Sequence, residues 1–405
     1  VARATPLSRA DRAALSTRTV QAIADEAVRA HGVPGVVAAI AAPDDDADGD
    51  AGGEEVGVAG ERRIGGGPME RGTVVRIASV TKPIVAAAAL VLVDRGVLRL
   101  DDPVTPWLPE LASPSVLRAP DGPLDDVRPA ERPILVEHLL ALRGGLGFTP
   151  AFGSPLWQAL LELGQGPPDP AAALPLDDWL ARIAALPLAH EPGEGWTYNT
   201  GLDLAGALLA RVAGTSLGAV LDNTVLAPLG MRETGFRLRP DQVPRAAASY
   251  RAEGDGLVEI DPPDGAWARE PRFESGAGGL VSTLDDLLSF GRMLVAGGRA
   301  GDGSQVLSEA SLGRMLTPGP PTDPTDPFLE GQSWTLGGAV DVVERHPWEV
   351  RGRYGWVGGS GTALYAYPRS RRVAVWLTQR ELAGPDDAER LGPLLALAAE
   401  RERAA

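Results

Sequence analysis

The chain has 405 residues, 44% hydrophobic and 23% charged, a mixture that excludes a disordered or fibrous protein. Its 54 acidic and 38 basic residues give a net charge of -16, which repels nucleic-acid phosphates and anionic lipid, so neither is an expected partner. There is no cysteine, which rules out disulfides, thiolate catalysis and zinc-thiolate sites, and the four histidines show no pair at metal-ligand spacing.

In chain order, the pattern predicts a helix over residues 8–30, closed by Gly32-Val33-Pro34-Gly35. Residues 36–40 read as a buried strand, 44–55 as an acidic, solvated tip, and 56–60 as the returning strand of a hairpin. Residues 74–77 form a further short strand or edge segment. A helix is expected from about Ser79 to Arg95, stopped by Gly96. Pro83 is tolerated only in a first turn, so the start must lie close to Ser79. Helical patterns recur at 136–142, 155–163, 176–186, 201–212 and 217–225, separated by Pro-rich stretches such as 166–170. Beyond 275 come an amphipathic helix at 284–295, capped by Ser282 or Thr283, and strand-like runs at 333–340, 352–356, 362–367 and 373–378. A final helix is expected at 388–401.

Strands at both ends and helices between predict one shared sheet with an inserted, mainly helical region. The expected division is a sheet part, 1–98 with 270–405, and a helical part, 99–269, with the site between them. The longest apolar run, 84–93, has ten residues and is too short to span a membrane. The first residues, Val1 to Thr5, show no signal-peptide pattern and no starting Met. A cytoplasmic location is the expectation, with secretion after leader cleavage left open.

The basic residues are 37 Arg and a single Lys, Lys82. Arg substitutes for Lys wherever a positive charge suffices, so one retained Lys suggests a task Arg cannot perform. At neutral pH that task is losing a proton. Ser79 lies three residues before Lys82, which places both side chains on one face of a helix. A Lys that is desolvated can accept the proton of such a Ser, whose helix-start amide favours developing negative charge.

The run from Ile77 through Ser79-Val80-Thr81-Lys82-Pro83 to Leu111 resembles the serine β-lactamase and penicillin-binding-protein superfamily, most closely the class C-like serine hydrolases. Further matching segments are His138-Leu139-Leu140 with Gly145-Leu146, Pro192-Gly193 with Trp196-Thr197-Tyr198, residues 227–231 and residues 278–283, all in family order. The resemblance implies an α/β (α+β) fold, an antiparallel sheet flanked by helices plus the inserted region. It identifies Tyr198 as the catalytic tyrosine, able to share a proton with Lys82. The family's Asn two positions later is Thr200 here. Asn199 is adjacent and is a substrate-binding candidate, although a helix start would aim it elsewhere. This departure is similar to family VIII carboxylesterases and nylon-oligomer hydrolases. The third motif is placed at Trp356-Val357-Gly358, followed by Gly359. By resemblance, the amides of Ser79 and Gly359 form the oxyanion hole, and Trp356 and Gly358 contact substrate. Trp356 then stands where a cation grips a β-lactam carboxylate, a contact worth about 1.5–3 kcal/mol.

The sequence reading is a serine hydrolase that cleaves carboxylic esters through an acyl-enzyme on Ser79, with no metal or cofactor. Its partner is a small-molecule ester or amide. Acyl transfer, amide or peptide cleavage, weak β-lactamase activity and a non-catalytic binding role stay open, as do the choice of Lys82 or Tyr198 as base and the oligomeric state.

Overall fold

The structure, a computed structural model, describes residues 18–42, 53–166, 169–170, 173–320, 326, 328–329, 331–384, 387 and 390–405. The first part of the expected N-terminal helix, most of the acidic tip, Pro167-Pro168 and Ala388-Glu389 lie outside the described residues.

Thirteen strands are described: β1 (Gly35–Ala41), β2 (Glu55–Gly60), β3 (Val75–Arg76), β4 (Ser115–Leu117), β5 (Val127–Pro129), β6 (Ser249–Glu253), β7 (Gly256–Asp261), β8 (Val281–Ser282), β9 (Gln332–Trp334), β10 (Ala339–Asp341), β11 (Tyr354–Gly358), β12 (Thr362–Tyr367) and β13 (Arg372–Thr378). The helices are α1 (Val20–Ala30), α2 (Thr81–Asp94), α3 (Val136–Leu140), α4 (Pro155–Glu162), α5 (Leu176–Ile183), α6 (Thr200–Ala213), α7 (Leu217–Leu221), α8 (Leu284–Val295), α9 (Glu309–Leu316) and α10 (Gly392–Ala404).

Seven strands form one antiparallel sheet in the order β2-β1-β13-β12-β11-β10-β9, so both ends of the chain do share a sheet. Alternation explains how its apolar strands bury both faces. Val37, Ala39 and Ala41 of β1 join the large core with α2 and α8, whereas Val36, Ala38 and Ile40 pack with α1 and α10. Gly291 lets α8 lie close on the sheet, because a Cβ there would sit 2.3 Å from Val373.

The structure refines three sequence expectations. The run 333–340 is two strands, β9 and β10, because Leu336-Gly337-Gly338 turns the chain, with Thr335 N–H donating to Gly338 C=O at 2.9 Å. The middle region is not only helical: β4–β5 and β6–β7 are small antiparallel hairpins. The helix expected at 217–225 is α7 followed by a wider π-helical turn, Asp222–Leu226. Among the described residues, no single helix is long and apolar enough to cross a membrane.

Helix α2 positions the site. It is apolar on all sides and buried from Thr81 to Leu92, as expected of a helix enclosed in a core. Its alanines keep it thin, and Gly96, at φ +68°, ends it. A single 3₁₀ turn, Ala78–Val80, leads into it. Ser79 in this turn lies three residues before Lys82 near the start of α2, which keeps the two side chains on one face, 2.8 Å apart.

Candidate active site

Ser79 follows Ala78, which adopts a left-handed φ of +44°. That conformation is unfavourable for a residue with a Cβ and is held here by the surrounding backbone. Val80 is the first residue of the turn to donate inward, its N–H reaching Ile77 C=O at 3.1 Å. Among the described residues, no backbone acceptor within the turn takes the Ser79 N–H.

Lys82 is fully buried. Its Nζ lies 2.8 Å from Ser79 Oγ, 2.9 Å from Asn199 Oδ1 and 2.6 Å from Ala277 C=O. Burial lowers its pKa to about 7, against the opposing pull of the Asp203 carboxylate. A large neutral fraction is then present at physiological pH.

Tyr198 is fixed by a two-way backbone bridge to Phe148, with N–H to C=O distances of 2.7 and 2.9 Å. Its hydroxyl donates to Ser79 Oγ at 2.9 Å and accepts from Trp356 Nε1–H at 2.8 Å. Lys82 Nζ lies 4.7 Å from the centre of its ring. Burial raises the Tyr198 pKa, which the hydrogen bonds with Ser79 and Trp356 oppose. The phenol thus stays protonated where a large fraction of Lys82 is neutral.

Counting protons assigns each bond. Ala277 C=O and Asn199 Oδ1 only accept, so they take the two hydrogens of a neutral Lys82 amine. Its lone pair then faces Ser79, whose hydroxyl donates to it. Tyr198, already accepting from Trp356, must direct its own proton at Ser79 Oγ. If the Ser79 proton moves to Lys82, the resulting ammonium finds three acceptors already in place.

Asn199 departs from the expectation that it would point away. Its φ of +82° and ψ of −71° make a γ-turn, closed by Thr200 N–H to Tyr198 C=O at 3.3 Å, and the turn brings its side chain to Lys82. Its amide lines the cavity but is engaged by Lys82. Thr200, where the family has Asn, donates instead to Gln165 Oε1 at 2.7 Å.

Trp356 and Gly358 are not among the residues that line the cavity beside Ser79. Trp356 stands behind Tyr198 and orients its hydroxyl. Gly358 is required by backbone proximity, since a Cβ would lie 2.4 Å from Ile77 C=O. That close approach, with Thr362 Oγ1–H donating to Ile77 C=O at 2.9 Å, sets the end of β11 against the Ser79 turn. Gly359, next along, does line the cavity with Ser79.

The cavity holds about 870 Å³. Phe148, Trp157 and Phe152 form one aromatic wall, continued by Phe328, which stacks on Tyr198 at 5.3 Å. Trp179 and Phe273, stacked at 4.8 Å, form another. Two cations line it, Arg76 and Arg251, and each is paired with a carboxylate, Asp261 and Glu381 respectively.

Sequence reasoning assigned no role to Asp203. This buried carboxylate on α6 accepts from Ser275 Oγ at 2.7 Å, Ala277 N–H at 2.9 Å and Gln165 Nε2 at 3.0 Å. The available signal was an acid in the first turn of the otherwise apolar run Leu202 to Leu209. Nothing in the sequence marked Gln165, Ala277 or the strain at Ala78.

The family model described as Beta-lactamase matches residues 20–399. Protein Rv1367c of Mycobacterium tuberculosis is 38% identical over 340 residues, covering 80% of this chain and 82% of that protein. Esterase EstB of Burkholderia gladioli is 37% identical over 244 residues, 56% of this chain and 58% of EstB. Among solved structures, EstCE1, a hydrolase with promiscuous acyltransferase activity, superposes with a TM-score of 0.77 at 26% identity, covering 97% of this chain and 99% of that one. A match running from α1 to α10, around a Ser-Lys-Tyr arrangement of this geometry, shows that the chain belongs to the beta-lactamase family.

Proposed function

We propose that this protein is a serine hydrolase that cleaves neutral carboxylic esters through an acyl-enzyme on Ser79. The observation that carries the reading is the hydrogen-bonded set Ser79, Lys82 and Tyr198, in which burial of Lys82 lowers its pKa to about 7 and so supplies a neutral amine beside the serine hydroxyl. Ser79 Oγ attacks the ester carbonyl carbon while its proton passes to Lys82 Nζ. The oxyanion is received by the amides of Ser79 and Gly359. As the C–O bond to the alcohol breaks, the leaving oxygen takes a proton from Tyr198, and the Lys82 ammonium gives the phenolate the proton it took from Ser79, so both groups return to neutral. Water then attacks the acyl carbon, and the proton path runs in reverse.

The paired state of Arg76 and Arg251 supports neutral substrates: a β-lactam carboxylate entering this cavity would meet cations already neutralised by Asp261 and Glu381. Acyl transfer is the second reading. The cavity's volume and aromatic lining leave room for an acceptor alcohol beside a bound acyl group, and the EstCE1 likeness points the same way. The division into a sheet part, 1–98 with 270–405, and a helical part, 99–269, belongs to the same proposal. Ser79, Lys82 and Gly359 fall in the first and Tyr198, Asn199 and Asp203 in the second.

Release of p-nitrophenol from p-nitrophenyl butyrate tests the reading, with Ser79→Ala in parallel. Turnover that is lost in the variant by about 10³-fold or more is expected. Equal rates in both proteins would overturn it.

A further inference from the structure

Acylation creates a problem that Ser79, Lys82 and Tyr198 do not solve among themselves. When Lys82 takes the serine proton it becomes a cation in a fully buried site. A buried charge without a counter-charge is strongly disfavoured. The groups in contact with Lys82 Nζ are neutral: a hydroxyl, an amide oxygen and a backbone carbonyl.

One carboxylate is placed to answer it. Asp203 is buried, and its three hydrogen-bond partners are all donors. Gln165 is oriented by Thr200, whose hydroxyl donates to Gln165 Oε1, so its Nε2 must face Asp203. Three donors and no acceptor select the ionised carboxylate, even though burial pushes Asp203 upward. Ala277 joins this carboxylate to the lysine: its N–H donates to Asp203 and its C=O accepts from Lys82.

We propose that Asp203 is a positioning residue that acts through the Ala277 peptide to hold Lys82 against Ser79 and to compensate the charge Lys82 acquires on taking the Ser79 proton. The proposal rests on the acyl-enzyme reading above. The titratable groups facing Lys82 are Tyr198 from the segment before α6 and Asp203 from α6; Ser79, Asn199 and Ala277 supply its neutral contacts. Lys82 is in turn the charge that acts on Asp203.

The single lysine makes the test direct. Lysine labelled with ¹³C and ¹⁵N gives a single set of side-chain resonances, whose titration reports Lys82 with no need for turnover. Asp203→Asn keeps two acceptor bonds, and a flip of Gln165 accommodates the new amide. The negative charge favours the ammonium, so its removal moves the Lys82 titration to lower pH, by about one unit. The acid limb of kcat/KM moves down with it, and plateau kcat falls about tenfold because the ammonium is uncompensated. Asp203→Glu, which keeps the charge, restores the titration. Should Asp203→Asn not fold, Asp203→Ser leaves room for water at the three donors and reads out the same shift. A Lys82 titration that stays in place or rises on loss of the carboxylate would overturn the proposal. A shifted titration in a protein that turns over no ester would instead uphold the Asp203 linkage and set aside the esterase reading.

Discussion

The two sides of the cavity are held in different ways. On one side, a set of side chains around Ser79 is held by directional bonds: Lys82 has three partners, Tyr198 two and Asp203 three. Two residues there, Ala78 and Asn199, adopt left-handed backbone that only a tightly determined surrounding sustains. On the other side, the wall is aromatic rings meeting face or edge, and Phe152 at its rim is 59% exposed. The difference separates chemistry from selection. Hydrogen bonds are directional and fix a proton path to within tenths of an ångström, while apolar contacts are not directional and admit many shapes. Substitutions on the first side should therefore change rate, and those on the second should change substrate preference.

Lys82→Arg breaks the first side most severely. It keeps the charge but removes the ability to lose a proton, so kcat/KM should fall by about 10³-fold. In the parent, kcat/KM should decline as pH falls through about 7, since a protonated Lys82 cannot accept from Ser79. A pH-rate series on both proteins checks the two statements together. Tyr198→Phe should fold and lose about 10²-fold in acylation, measured as the pre-steady-state burst rate. Parental acylation in that variant would make the tyrosine a structural group.

Asn199→Gly sharpens the comparison because stability and activity should part. Glycine relieves the γ-turn, which holds about 1–3 kcal/mol of strain, yet removes an acceptor from Lys82. Thermal unfolding should shift upward while kcat drops about tenfold. The smallest effect is expected on the aromatic side. Phe152→Ala should raise KM for octanoate esters about threefold and leave kcat and the butyrate ester nearly untouched.

How much was legible in the sequence follows the same division. Ser79 and Lys82 were marked by local spacing and the lone lysine, Tyr198 by the resemblance of its segment to the family motif, and the continuous apolar runs of β1, β12 and β13 marked the sheet. Asp203 was not, because its role depends on residues 275–277 folding onto α6, a contact no local pattern encodes. Trp356 was assigned to substrate by the resemblance of its segment to the family's third motif. Only the packed structure shows its indole spent on Tyr198. The break between β9 and β10 did have a signal, Gly337-Gly338, which an apolar run on either side obscured. The strain at Ala78 had none, since alanine is a residue that sequence reasoning assigns to helices.

The most direct test of the account is rapid-quench mass spectrometry of the protein reacting with p-nitrophenyl butyrate, with the modified residue mapped by peptide digestion. The account predicts a butyryl group on the peptide carrying Ser79, formed fastest above pH 7 and absent from Ser79→Ala. Ester turnover with no adduct on that peptide, or with the adduct on another residue, would contradict it.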